Sequence, residues 1–186
     1  MRSLVWVKDG GAEYCEVALD GGLSASGAAI GSDPVPYRLE YWLRTSPTYV
    51  TEVLTVRAEG LGWWRSLDLR RAPDGTWTCD GAGEGDLDGP PPGGEVEAGE
   101  DCDLGLSPLT NTMPVLRHGL HENPGQVDLV MAWVRVPHLS VERNPQRYTH
   151  LDPGVVRYES EGFRADLVFT KDGLVADYPG LARLSE

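Results

Sequence analysis

The sequence is poor in cysteine and in basic residues. Its three cysteines, Cys15, Cys79 and Cys102, are odd in number, and their spacings match neither a disulfide framework nor a zinc or C-x-x-C redox motif. Lysine and arginine number 16 against 29 acidic residues, which gives a formal net charge of −13. Because a field of that sign repels a phosphate backbone, we expect no nucleic-acid partner.

Segments typical of membrane insertion or export are also missing. The chain has no apolar run of about 18 residues, which is the minimum for a transmembrane helix. The first residues, MRSLVWVKDGG, lack the apolar core of a signal peptide. We therefore expect a cytoplasmic protein with no integral membrane segment.

The familiar motifs of catalysis and cofactor binding are absent. The sequence contains no Walker A motif, dinucleotide fingerprint or H-E-x-x-H motif, and the segment Gly22–Ser26 has a serine where a nucleophile elbow needs its second glycine. His118 and His121 fall in a predicted strand and would point to opposite faces, so they cannot share a metal. We therefore assign no catalytic residue, no metal site and no cofactor.

What the chain does have is a dense pattern of turns and short strands. Its 23 glycines and 14 prolines separate runs rich in valine, tyrosine, tryptophan and leucine. Residues 36–44 and 162–170 alternate apolar and polar side chains, and no segment of twelve or more residues shows clear helical periodicity. Asp-Gly pairs at residues 9–10, 20–21, 74–75 and 172–173 supply hairpin turns. These patterns predict a mostly antiparallel all-β domain over residues 1–186, least regular at 138–153, where a short helical turn is expected.

An acidic segment interrupts this pattern at residues 81–100. Together with Asp101 it contains seven acids, seven glycines and three prolines, and no basic residue. Such a composition has little apolar surface with which to offset the entropy of ordering. We therefore predict a flexible acidic loop, without the ligand spacing of a calcium loop.

The tryptophans occur where both faces of a strand are apolar. Trp63 and Trp64 are adjacent, as are Tyr41 and Trp42, and Trp133 lies between two apolar residues. Neighbouring strand residues point to opposite faces, so such a sheet either packs between two layers or curves around an apolar cavity. A filled core and a cavity lined by Trp42, Trp63 or Trp64 and Trp133 both remain open at this point.

The segment at 101–118, DCDLGLSPLTNTMPVLRH, concentrates polar groups. Asp103, Asn111 and Arg117 could stand at the rim of a pocket and contact a sugar headgroup. The alternative is local, because Asn111 and Thr110 could instead bond to nearby backbone in a turn.

Three motifs resemble those of a bacterial family of glycolipid-binding proteins. They are DCDLGLSPLTNTMPVLRHGL at 101–120, QRYTHL at 146–151 with VVRYES at 155–160, and DGLVADYPGLARL at 172–184. An early Val5-Trp6 strand and the DGTW turn at 74–77 also match, whereas residues 90–100 look like an insertion. The resemblance implies an incomplete barrel of antiparallel strands, similar to the apolar half-barrel of periplasmic lipoprotein carriers. It brings no catalytic residue.

The function we expect is non-catalytic binding of an amphipathic small molecule, such as a glycolipid. Its acyl chains would meet the tryptophans, while Asp103, Asn111, Arg117, Arg157 and Tyr178 would contact the headgroup. Arg117 and Arg157 could hold a phosphate or carboxylate through paired hydrogen bonds. Two alternatives are a hydrolase acting on a lipid or glycoside through Asp or Glu, and a protein-interaction module that pairs an edge strand with a partner.

Overall fold

A computed structural model describes residues 1–97 and 99–185 of the chain. Short strands dominate it, with 58% of residues in strands and 5% in helices. The strands are β1 (Arg2–Lys8), β2 (Gly11–Ala18), β3 (Ser24–Gly31), β4 (Tyr37–Thr45), β5 (Thr51–Gly60), β6 (Trp63–Arg71), β7 (Trp77–Gly85), β8 (Cys102–Leu104), β9 (Gln126–Arg135), β10 (Ser140–Asp152), β11 (Val155–Ser160), β12 (Phe163–Phe169), β13 (Val175–Tyr178) and β14 (Ala182–Leu184).

All these strands belong to one fourteen-stranded sheet. Its order is β7-β6-β5-β4-β3-β2-β1-β14-β13-β12-β11-β10-β9-β8, and the pairing is antiparallel except between β8 and β9. The pairing of β1 with β14 joins the two halves of the chain in the middle of the sheet. The prediction of an all-β, mostly antiparallel fold with little helix is confirmed, and the sheet does not close into a barrel.

Turn chemistry and alternation explain most of this architecture. Gly10, Gly21, Gly75 and Gly173 of the four Asp-Gly pairs all have positive φ angles and lie between consecutive strands, as predicted. In β4 (Tyr37–Thr45) the side chains alternate between buried and exposed along the whole strand. Such alternation fixes the register, because a slip of one residue would expose the apolar set.

The sheet rolls on itself and encloses two hydrophobic cores. The first core is formed mainly by the inner face of β1–β7, and it also includes Ala132 and Val134 of β9. Met131 of the same strand belongs to the second core, which is built mainly on β10–β13. Because successive strand residues point to opposite faces, β9 has one face in each core over these residues.

A short helical segment packs against both cores. A 3₁₀ turn at Leu109–Asn111 leads directly into helix α1 (Thr112–His118), which ends at Gly119 with a left-handed conformation. Leu109 lies in the first core, whereas Val115 lies in the second. The segment between β8 and β9 therefore connects the two cores.

The structure corrects two expectations about regularity. Residues 138–153 were expected to be the least regular part, yet Ser140–Asp152 form the longest strand, β10. The sheet tolerates Pro145 there because β11 ends opposite Gln146, which leaves Pro145 paired on one side only. The helix instead lies at residues 112–118, so His118 ends a helix and is not in a strand.

The acidic segment begins later than predicted and is more anchored. Residues 81–85 are the end of β7, paired with β6. Leu87 and Val96 pack against the first core, and Gly93 exchanges backbone hydrogen bonds with Leu139 and Val141. These anchors were missed because isolated apolar residues in an acidic, glycine-rich run give no periodic pattern. Mobility of this segment stays a prediction.

No helix in the described part of the chain is long and apolar enough to cross a membrane.

Candidate functional site

The tryptophans predicted to line one cavity lie in different places. Trp63 is buried in the first core. Trp42 and Trp64 lie on the outer face of the sheet, where the guanidinium groups of Arg44 and Arg57 stack 5.5 and 4.9 Å from the ring centroids. Because side chains alternate between the two faces along a strand, Trp63 lies on the opposite face of the sheet from Trp42 and Trp64. These tryptophans therefore do not line one cavity.

Two open grooves lie beside the outer tryptophans. A groove of about 600 Å³ runs past Trp42, and one of about 830 Å³ runs past Trp64. Arg57 borders both grooves and is paired with Glu59 at 3.4 Å. These concavities are formed by the outer face of the sheet, whereas the first core is filled by side chains such as Trp63.

Arg117 is engaged inside the fold. Its Nη1 and Nη2 atoms donate hydrogen bonds of 2.7 and 2.6 Å to the two carboxylate oxygens of Asp101, which is fully buried. Burial raises the pKa of Asp101, and the hydrogen bonds and charge of Arg117 oppose that shift. Arg117 thus neutralises an internal carboxylate.

Arg157 is engaged in a similar way at the surface. Its Nε and Nη2 atoms donate to Asp166 across β11 and β12 at 2.7 and 3.0 Å. The paired hydrogen bonds predicted for a phosphate or carboxylate ligand are therefore made, for Arg117 and Arg157 alike, to carboxylates of the chain itself.

Asp103 and Trp133 come together on one face of the sheet. They are direct neighbours in the parallel pairing of β8 with β9. On β10, Gln146 lies on the same face and donates from Nε2 to Oδ2 of Asp103 at 2.7 Å. Thr110, from the 3₁₀ turn, donates its hydroxyl to Oδ1 at 2.8 Å.

Asn111 extends this polar network. Its Oδ1 accepts a hydrogen bond of 3.0 Å from the hydroxyl of Tyr148, and Tyr148 also lies 3.0 Å from Oε1 of Gln146. Gln146 in turn donates to Asn144 at 2.9 Å, and Asn144 accepts from Ser160 at 2.9 Å. The network therefore links the helical segment to β8, β10 and β11.

Tyr178 belongs to an aromatic row beside this network. The Tyr158 ring lies 5.3 Å from Tyr148, 6.0 Å from Phe163 and 6.2 Å from Tyr178, measured between ring centroids, with tilted geometry. Phe163 is 49% exposed, whereas the tyrosines are buried. The row runs from the interior to solvent.

We call this collection of polar and aromatic side chains the inner site. Its members are Asp103, Asn111, Trp133, Asn144, Gln146, Tyr148, Tyr158, Ser160, Phe163 and Tyr178.

The electrostatics of the inner site centre on Asp103. Removal from water raises the pKa of its carboxyl, and the hydrogen bonds from Gln146 and Thr110 lower it in part. Burial raises the pKa of Tyr158 and Tyr178, and the charge of Asp103 adds to the rise. The tyrosine hydroxyls therefore stay protonated and can act as hydrogen-bond donors.

The sequence predicted part of this site and missed the rest. Asp103, Asn111, Trp133 and Tyr178 were predicted and do lie together. Gln146, Tyr148 and Tyr158 were not proposed as site residues, although they fall in the motifs QRYTHL and VVRYES. Alternation within QRYTHL places Gln146 and Tyr148 on one face and could have pointed to them.

A second polar cluster lies at another end of the fold. Buried Glu13 pairs with Lys8 and accepts hydrogen bonds from Tyr41 at 2.9 Å and Ser107 at 2.7 Å. All its polar contacts are internal, which suits a structural role. No group of three or more histidine, cysteine or acidic side chains in the described residues could hold a metal ion.

Comparison with known proteins places the chain in a family. A crystal structure of a DUF1089 family protein from Pseudomonas aeruginosa is similar, with a TM-score of 0.72 and 27% sequence identity over 92% of this chain and 91% of that one. No curated protein matches. The model of the family described as "Putative glycolipid-binding" matches residues 3–184, and the chain belongs to that family.

Proposed function

We propose that the protein binds a glycolipid without catalysis and that the inner site receives the sugar headgroup. The observation that carries this proposal is the placement of the Asp103 carboxylate and the Gln146 amide on the same face as the half-buried Trp133 and the exposed Phe163. The family description supports the ligand class.

The chemistry of these groups suits a sugar. A sugar ring has apolar faces that pack on aromatic rings, and hydroxyls that need donors and acceptors. The inner site combines both, as ligand sites usually do when mostly apolar walls carry a few convergent polar groups. The Asp103 carboxylate has acceptor sites beyond those used by Thr110 and Gln146, and Trp133, with the Arg135 guanidinium 5.4 Å from its ring centroid, supplies an aromatic ring.

The alkyl chain would lie beside the exposed end of the aromatic row. Leu129 is half-buried and lies opposite Gln146, which is followed across the sheet by Ser160 and Phe163. Burial of apolar surface there yields roughly 25 cal/mol per Å² before the costs of association.

Dodecyl maltoside, below its micelle-forming concentration, is the probe that tests this function. We expect it to raise the melting temperature and to change the tryptophan fluorescence of the wild-type protein. Trp133→Phe should weaken binding and remove most of the fluorescence change. Trp64→Phe, the same substitution on the outer face, should leave both intact.

Two results would contradict the proposal. One is the absence of any change in the melting temperature or fluorescence of the wild-type protein. The other is loss of binding in Trp64→Phe with retention in Trp133→Phe, because that pattern assigns the ligand to the outer groove.

One observation favours a glycoside hydrolase as the second candidate. Asp103, Trp133 and Glu142 form one row across β8, β9 and β10, so the backbones of the two acids are about 9–10 Å apart, two strand spacings. Inverting glycosidases hold two carboxyl groups roughly 6.5–9.5 Å apart, a range that two acidic side chains from one such row can reach. Release of nitrophenol from a panel of nitrophenyl glycosides, lost in both Asp103→Asn and Glu142→Gln, would establish this function in place of simple binding.

We further propose a cytoplasmic location. Cys15, Cys79 and Cys102 are all free thiols, which supports a reducing compartment. Fractionation of cells that express the full-length protein tests this location.

A further inference from the structure

Within the part of the chain that the structure describes, the carboxylate of Asp103 has no cationic partner. Its two hydrogen-bond partners, Thr110 and Gln146, are both neutral. Among residues 1–97 and 99–185, no lysine, arginine or histidine forms an ion pair with it. A cation attracts a partly buried carboxylate without a counter-charge more strongly than it attracts an exposed one, because water screens the buried charge less.

The acids around Asp103 differ in this respect. Asp101 is held by Arg117, and Glu142 is paired with Arg135 at 3.2 Å. Asp103 is therefore the carboxylate of the inner site whose charge is left for a ligand to neutralise.

The aromatic surroundings of Asp103 favour a cation as well. Trp133 is its direct neighbour in the sheet, and its charge reaches Tyr158 and Tyr178, whose hydroxyl pKa values it helps to raise. The faces of tryptophan and tyrosine rings are electron-rich and attract cations, and the Arg135 guanidinium already lies 5.4 Å from the centroid of the Trp133 ring. An anionic group would be repelled by the Asp103 carboxylate, and the neighbouring arginines are already paired with acidic side chains of the protein.

Resting on the proposed glycolipid function, we propose that the headgroup bound at the inner site carries a protonated amine, as an amino sugar does, and that Asp103 accepts its hydrogen bonds. The aromatic rings of Trp133 and Tyr158 border the position of the amine. A neutral sugar lipid binds more weakly, and a phosphorylated one is rejected.

Three alkyl glycosides with the same dodecyl chain test this inference by calorimetry at about pH 6, where an amine of ordinary pKa is protonated. They are dodecyl glucosaminide, dodecyl glucoside and dodecyl N-acetylglucosaminide. A charge-assisted hydrogen bond predicts that the glucosaminide binds the wild-type protein at least about tenfold more tightly than the other two. The acetylated compound removes the charge without any change in the protein, so this comparison holds even if a variant fails to fold.

Substitutions then locate the effect. Asp103→Asn should abolish the preference for the glucosaminide, so that the glucosaminide binds this variant no more tightly than the glucoside does. Asp166→Asn, the same change at an exposed acid on the outer face, should keep the preference.

The outcomes separate the inference from the function on which it rests. Equal binding of all three compounds, or tighter binding of the glucoside, overturns the amine inference and leaves glycolipid binding standing. Binding of none overturns the proposed function. Dodecylamine, which has no sugar, should bind more weakly than the glucosaminide; equal affinity would support the amine and contradict the sugar.

Discussion

Gln146 donates a hydrogen bond of 2.7 Å to Asp103 from a strand that is not its neighbour. Asp103 lies on β8 and Gln146 on β10, with β9 between them. The bond therefore spans the sheet on its inner face and holds the carboxylate in one orientation. Gln146 is itself held by Tyr148 and Asn144, so the position of Asp103 depends on a chain of contacts.

Replacement of Gln146 by leucine should destabilise the protein. The variant leaves Asp103 with one donor and removes an acceptor from Tyr148. An unsatisfied buried polar group costs about 1–3 kcal/mol, which is the expected loss in the free energy of unfolding. Urea denaturation at pH 7 measures it.

The matched control for this change is Gln126→Leu. Gln126 is exposed on β9, so its substitution should alter the free energy of unfolding by less than about 0.5 kcal/mol. Equal losses in the two variants would show that the hydrogen bonds of Gln146 contribute nothing particular.

The ion pair of Arg117 with Asp101 should contribute far more to stability than the pair of Arg157 with Asp166. Arg117→Met leaves a buried carboxylate without its counter-charge, which costs about 3–5 kcal/mol. Arg157→Met breaks an exposed pair that water screens, so the loss of stability should be far smaller. Chemical denaturation of both variants makes the comparison.

A double variant tests whether the uncompensated charge of Asp101 causes the loss of stability in Arg117→Met. Arg117→Met combined with Asp101→Asn removes both charges, so it should be less destabilised than Arg117→Met alone. If the double variant is the less stable one, the cost lies in lost packing and not in an uncompensated charge.

The fold was more predictable than the site for a physical reason. Strand alternation and Asp-Gly turns are local, and they predicted β4 and the hairpins. Helix α1 was missed because seven residues are too few for a periodic pattern, and because Pro114 lies in its first turn, where a missing N–H donor is tolerated.

Residues of the inner site illustrate the limit of local reasoning. Asp103 and Asn111 were predicted because they sit in a dense polar stretch. Tyr158 was not, because its contact with Tyr148 depends on the register of β10 with β11 and on how the sheet rolls. Trp63 was placed at a cavity, since a filled core and a cavity give the same pattern of apolar residues on a strand.

The acidic segment should depend on its apolar anchors. Leu87→Ala removes contacts with the first core and should lower the free energy of unfolding by about 1–2 kcal/mol. Leu61→Ala changes a fully exposed leucine and should have almost no effect. If Leu87→Ala also has none, the segment behaves as the flexible loop that its composition predicts.

Thiol labelling should separate Cys79 from the other two cysteines. Burial raises the pKa of Cys15 and of Cys102 to about 12, so at pH 8 neither forms an appreciable amount of thiolate. Cys79 is half-buried and should be the first to react with Ellman's reagent under native conditions. All three should react in denaturant, and early labelling of Cys102 in the native protein would contradict its placement in the first core.

Asp103 and Asp166 should affect stability with opposite dependence on pH. Burial raises the pKa of Asp103, so between its unfolded and folded pKa values the native state binds more protons, and the stability contribution of this group falls as pH rises. The hydrogen bond and charge of Arg157 lower the pKa of Asp166, so its contribution is present above the unfolded pKa and is lost as pH falls through the folded value.

Two asparagine variants measure this contrast across about pH 3–8. Relative to the wild-type protein, Asp103→Asn should become progressively more stable as pH rises above the ordinary pKa of aspartate, because the wild-type protein alone then carries the uncompensated charge. Asp166→Asn should become progressively less stable over the same rise, because it lacks the ion pair. Thermal denaturation at each pH gives the stability of both variants relative to the wild-type protein. If the curve of Asp103→Asn runs parallel to that of Asp166→Asn, the charge of Asp103 is already neutralised within the fold.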